Sequence, residues 1–195
     1  MTPGQLINHV RSFYIETLTD GFDRHKVNPT VTVQTEAALR ELEGNLLLGG
    51  PLGLPVRVDV VTFEHGRLTD TLLVEPDQMP SFDVFTLQWE ETLPVKVGPF
   101  SWHACVFVIG GIKAESDPSP IVEWYMKWFD PEDEKPADEQ GVYRVVHHLD
   151  GPGLDADGNV RCVVDFGSAP LECFERFLDA LKAVGATEVS VGKCS

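Results

Sequence analysis

Four of the chain's histidines and cysteines, set in apolar runs, carry together the donors that a tetrahedral metal ion selects. His103 and Cys105 share one face of an alternating apolar run, and His147 and Cys162 share the apolar face of two later runs. Two imidazoles and two thiolates form the S₂N₂ set that zinc takes. If the two faces meet, His103, Cys105, His147 and Cys162 converge on one ion. A small zinc-dependent enzyme or metal-binding domain is then expected, with His148 and nearby carboxylates in support. Structural zinc sites usually draw their ligands from close pairs on turns, whereas these four stand alone inside strands. The same residues therefore also read as core, with the histidines hydrogen-bonded.

Other chemistries fit less well. Asp155-Ala156-Asp157-Gly158-Asn159 spaces its oxygens as a calcium loop begins, but Val160 and Phe166 stand where that loop needs glycine and a bidentate glutamate. A hairpin loop is expected there. Asp165-Phe166-Gly167 lacks the glycine-rich and catalytic loops that give such a triplet a magnesium ion in protein kinases. Ser168 lacks the flanking glycines of a nucleophile elbow and is expected to cap a helix. Neither Gly49-Gly50 nor Gly110-Gly111 leads into Lys-Ser/Thr, so no phosphate loop is present. Trp89, Trp102, Trp124 and Trp128 suit either an aromatic-lined pocket for a flat ligand or, by their spacing, the core. No motif set calls for a cofactor, and none assigns a family.

The elements that must position these residues follow from periodicity. Thr2 and Pro3 start a helix with Leu6, Ile7, Val10, Phe13, Tyr14 and Leu18 on one stripe, and Gly21 is expected to end it. Residues 35–43 read as a second short helix on the strength of Ala37, Ala38, Leu39 and Leu42. Residues 49–55 form an apolar loop. Residues 56–63 and 68–74 make a hairpin whose His65-Gly66 turn sets Glu64 opposite Arg67 and Phe63 opposite Leu68. Residues 82–90 and 100–109 are further strands, the second apolar on both faces and so central. Ser119-Pro120 opens a helix with Ile121, Trp124, Tyr125 and Trp128 facing the core.

The chain closes as strand, strand, helix, strand over 142–149, 160–166, 169–184 and 188–191. The expected fold is α+β, mainly antiparallel sheet with helices packed on it and this C-terminal strand-strand-helix-strand unit. At 195 residues it is expected to be a single domain over 1–195, with the acidic connection 130–140 as the one point where it could divide.

Charge narrows the function classes. Thirty-one acidic against fifteen basic side chains give a net −16. Such a surface repels phosphate backbones and anionic lipid, so nucleic acid and membrane are not expected as partners, and a basic protein is. Residues 130–140 hold six acids, one lysine and two prolines, the composition of a solvated connection. Cys105, Cys162, Cys173 and Cys194 form no C-x-x-C pair and are expected to be free thiols. With no basic patch and apolar run at the start, a cytoplasmic location is expected. The leading functional expectation is a non-enzymatic acidic module that binds a basic protein.

Overall fold

The computed structural model describes residues 1–26, 30–76, 79–113, 116–154 and 159–193. Its first helix, α1 (Pro3–Lys26), is closed by a capping box: Thr2 N–H donates to Gln5 Oε1 at 2.8 Å and Gln5 N–H to Thr2 Oγ1 at 3.3 Å. Ile7, Val10, Tyr14, Leu18 and Phe22 form its buried stripe. Gly21 does not end the helix. A Cβ there would lie 3.1 Å from Val74 Cγ2, so this glycine serves the close approach of another segment, and Phe22 extends the stripe.

The expected helix over 35–43 is instead strand β1 (Val31–Ala38), antiparallel to β4 (Arg57–Glu64) from Val31↔Glu64 to Ala38↔Arg57. Branched Val31, Thr32, Val33 and Thr35, together with a ladder that pairs every residue of the strand but Glu36, override the helix preference of Ala37 and Ala38. Where a loop was expected over 49–55, β2 (Leu48–Gly49) and β3 (Leu54–Pro55) pair as a short two-stranded ribbon. β4 turns into β5 (Arg67–Leu72) at His65-Gly66, both at positive φ (52° and 77°), with Glu64↔Arg67 and Phe63↔Leu68 paired as expected.

The larger sheet contains β6 (Phe85–Trp89), β7 (Leu93–Val97), β8 (Cys105–Gly110), β9 (His148–Leu154), β10 (Val160–Asp165) and β11 (Glu188–Gly192). Their order is β6-β7-β11-β8-β10-β9, antiparallel throughout except between β7 and β11. β8 lies inside the sheet, as two apolar faces require. It is shorter than expected because Trp102–Ala104 form a single 3₁₀ turn. Helices α2 (Ser119–Phe129) and α3 (Leu171–Ala183) pack together, and the Trp124 and Phe177 rings lie 4.4 Å apart. The fold is thus α+β with mainly antiparallel sheets, and its main core runs from Ile7 to Val191. No helix among the described residues is long and apolar enough to cross a membrane.

Residues 142–147 do not form the expected strand. Their backbone groups bond elsewhere: Tyr143 N–H to Glu36, Arg144 N–H to Ser168 Oγ, Val146 N–H to the Trp128 carbonyl and His147 N–H to the Asp165 carbonyl. With those groups committed, the ladder starts only at His148.

Residues 130–140 are likewise not a simple solvated connection. Asp130, left-handed at φ 59°, caps α2 and accepts the Lys135 N–H at 2.9 Å. Asp133 pairs with Arg57 and Arg40, and Asp138 accepts the Gln140 and Val142 N–H groups. Arg57 is buried, and its guanidinium donates to the carbonyls of Glu36 (2.6 Å), Asp130 (2.7 Å) and Phe129 (2.9 Å) as well as to Asp133. A lysine keeps the charge but not the planar fork. Arg57→Lys should therefore lose at least one charge-assisted bond, about 1.5–3 kcal/mol by urea unfolding. A loss below about 0.5 kcal/mol, the range of neutral surface changes, would show that the fork is replaceable.

Candidate functional site

Polar side chains from both sheets and α1 meet in the interior. Glu36 lies within β1 but at φ 50°, and the register skips it, from Thr35↔Val60 to Ala37↔Val58. A buried non-glycine residue in that conformation costs of order 1–3 kcal/mol, a cost that tends to be kept where a side chain must be aimed. Glu36 Oε1 accepts His147 Nε2–H at 2.7 Å and Ser168 N–H at 3.0 Å, while Oε2 accepts the Ser168 hydroxyl at 2.7 Å and the Tyr143 N–H. Asp59, from β4, accepts the Tyr14 hydroxyl on Oδ1 and the Val74 N–H on Oδ2.

His147 lies between these acids, fully buried. Its Nδ1 is 2.9 Å from Asp59 Oδ1 and 3.8 Å from Asp165 Oδ2, close contacts that lie off any good hydrogen-bond line. Asp165 ends β10 and accepts the Gly167 N–H at 2.9 Å. Gly167 has φ 49°, and a Cβ there would collide with the His147 ring and the Val145 carbonyl. The imidazole is therefore seated on bare backbone. Asp165 also borders a cavity of about 410 Å³ between the two sheets, walled by Val56, Val58, Leu73, His103 and His148.

Burial opposes ionisation of Glu36 and Asp59, but the bonds from His147, Ser168 and Tyr143 to the first, and the closeness of the His147 imidazole with bonds from Tyr14 and Val74 to the second, hold both carboxyls below their usual range. Burial disfavours the charged imidazole of His147 too, yet Asp165, Asp59 and Glu36 outweigh it and raise its pKa well above normal. Asp165 is pushed up to about 7, chiefly by burial, with His147 only partly compensating. At His103 and His148 burial lowers the pKa.

Of the four residues expected as a zinc set, His147 alone belongs to this cluster, which also holds Asp165 and Ser168, weighed in the sequence for other chemistries. Among the described residues, Asp59, His147 and Asp165 are the group whose donor atoms lie within 4.8 Å of one another; His103, Cys105 and Cys162 fall outside it. His103 lines the cavity, its Nδ1 2.7 Å from Ser101 Oγ and its ring stacked on Tyr14 at 5.7 Å. Cys105, Cys162 and Cys173 are buried free thiols, and burial pushes the Cys162 thiol up to about 12. Cys194 and Asp155–Gly158 lie outside the described residues.

Ser168 does not cap α3, which starts at Leu171 after Pro170; its hydroxyl serves Glu36. The tryptophans are built into packing, with Trp102 and Trp124 buried and donating to the Gly167 and Cys173 carbonyls. Sequence reasoning missed Glu36 and Asp59, set Asp165 aside with its Phe166-Gly167 triplet, and read Tyr14 only as part of the apolar stripe of α1. Asp59 and Asp165 did leave a signal, a lone acid in or ending a valine-rich strand, whereas Glu36 left none. No family model matches the chain, and no curated protein or solved structure is significantly similar to it.

Proposed function

We propose that the protein is an acidic module that binds a basic protein. The observation that supports this reading is where the charge is left. In the interior Arg57 and His147 stand against Glu36 and Asp59, so the surplus of the chain's −16 falls on the surface. Residues 130–140 contribute an anchored part of it: Asp130, Asp133 and Asp138 are bonded inward, while Glu132, Glu134 and Glu139 are exposed and bond to no side chain among the described residues. An anchored acidic display loses less conformational freedom on binding than a loose tether. Its field reaches about one Debye length, ~8 Å at physiological salt, and steers a cationic surface inward. The buried free thiols fit a reducing compartment, and the cytoplasm is the proposed location.

The test changes only these three exposed acids: Glu132→Gln, Glu134→Gln and Glu139→Gln together, against a lysine-rich peptide and any basic partner recovered. The association rate should fall about tenfold at low salt and converge with the wild-type rate at high salt, the signature of steering. An unchanged rate at low salt would remove the segment from the mechanism.

A further inference from the structure

We propose that Asp59, His147 and Asp165 form a binding site for a divalent first-row metal ion at the inner end of the cavity between the two sheets. The first support is geometric. Metal–ligand bonds of about 2.0–2.2 Å place neighbouring donors about 3.0–3.6 Å apart and opposite ones about 4.2 Å apart. The separations of His147 Nδ1 from Asp59 Oδ1 and Asp165 Oδ2, 2.9 and 3.8 Å, lie close to this range.

The second support is independent of the carboxylates. His147 Nδ1 is completely buried and makes no hydrogen bond of acceptable geometry, although it faces both acids. A buried imidazole nitrogen left in that state needs an explanation, and a cation between it and the two carboxylates supplies one. The surroundings are those of ligating groups. Glu36 accepts the other ring N–H at 2.7 Å, so when an incoming ion displaces the Nδ1 proton to solvent the ring is held in the tautomer that ligates through Nδ1. Tyr14 and Val74 orient Asp59, Gly167 N–H orients Asp165, and the bare Gly167 backbone seats the ring.

The donor set names the class of ion. One imidazole with two carboxylates, and no thiolate, suits Mn²⁺, Fe²⁺ or Zn²⁺ better than a soft ion. Three protein ligands leave coordination positions open, and the way out of the site past Asp165 is the cavity bordered by His103, His148 and Thr71. That is the plan of a site that exchanges a small ligand, unlike a closed structural zinc site. The alternative is a permanent network in which His147 stays doubly protonated between Glu36 and Asp59.

The experiment titrates chelator-treated full-length protein with Mn²⁺, followed by electron paramagnetic resonance, and with Co²⁺, followed by its visible absorption and by proton NMR. One ion should bind per chain, and Asp165→Asn, which keeps the side chain's size, should weaken binding at least tenfold. Glu36→Gln should weaken it about 10–100-fold, as loss of a supporting hydrogen bond to a ligating histidine does. Should either variant fold poorly, the wild-type protein still decides: bound Co²⁺ should shift the His147 ring protons far beyond those of His9 and His25. Absence of binding at millimolar Mn²⁺ and Co²⁺ would overturn the proposal in favour of the permanent network. So would binding that leaves the His147 resonances unmoved, because the ion would then sit on the acidic surface.

Discussion

His147→Ala should cost about 3–5 kcal/mol of folding stability in chelator-treated protein, the loss expected when one member of a buried ion pair is removed. Among the described residues the imidazole is the only cationic group that touches Glu36 and Asp59 through their carboxylates, since Arg57 meets Glu36 at its carbonyl. Without it, Glu36 keeps the Ser168 and Tyr143 donors and Asp59 keeps Tyr14 and Val74, but neither buried charge is balanced. Urea unfolding measures the loss. In an Asp59→Asn background the same substitution should cost less, with a coupling of about 0.5–3 kcal/mol between the two positions. A single-variant loss under about 1 kcal/mol would mean that the carboxylates find other donors or take up protons at little cost.

What the sequence disclosed and what it withheld divide along chain separation. The β4–β5 hairpin, α3 and β11 were legible because apolar period and turn residues act within a few positions: the His65-Gly66 turn pairs Glu64 with Arg67 and Phe63 with Leu68, before a shift at Thr62. Residues 35–43 and 142–147 were misread because their decisive partners are distant. Glu36 takes its left-handed turn to meet His147 and Ser168, 111 and 132 residues away, and those bonds in turn draw the backbone around Tyr143 and Arg144 out of any ladder. His147 could be marked as a reactive type in an apolar strand. Its actual neighbours come from β4, β10 and β1, and no periodicity encodes which acids a histidine will meet. The acidic segment shows the same limit, since nothing local tells that Asp133 is the partner of a buried Arg57.

Phe174→Ala should be as damaging as the loss of His147, for an apolar reason. Phe174 is 1% exposed, and the rings of Phe100, Trp102, Phe107 and Phe166 lie 6.0, 6.2, 5.7 and 5.6 Å from it. Truncation removes the transfer energy of the ring and leaves a hole whose walls cannot close. Trp102 is tied to the Gly167 carbonyl and Phe107 stands on interior strand β8, so neither can move in without breaking a bond or a ladder. The expected loss is about 3–5 kcal/mol, the range for buried aromatic truncations. Phe174→Leu, which keeps most of the volume, should cost less than half of that. Because Phe166 and the Gly167 carbonyl belong to the same turn that seats the imidazole, Phe174→Ala should also broaden the NMR signals of the His147 ring. A loss under about 1 kcal/mol with sharp His147 signals would mean that this face of α3 neither carries the core nor braces the site.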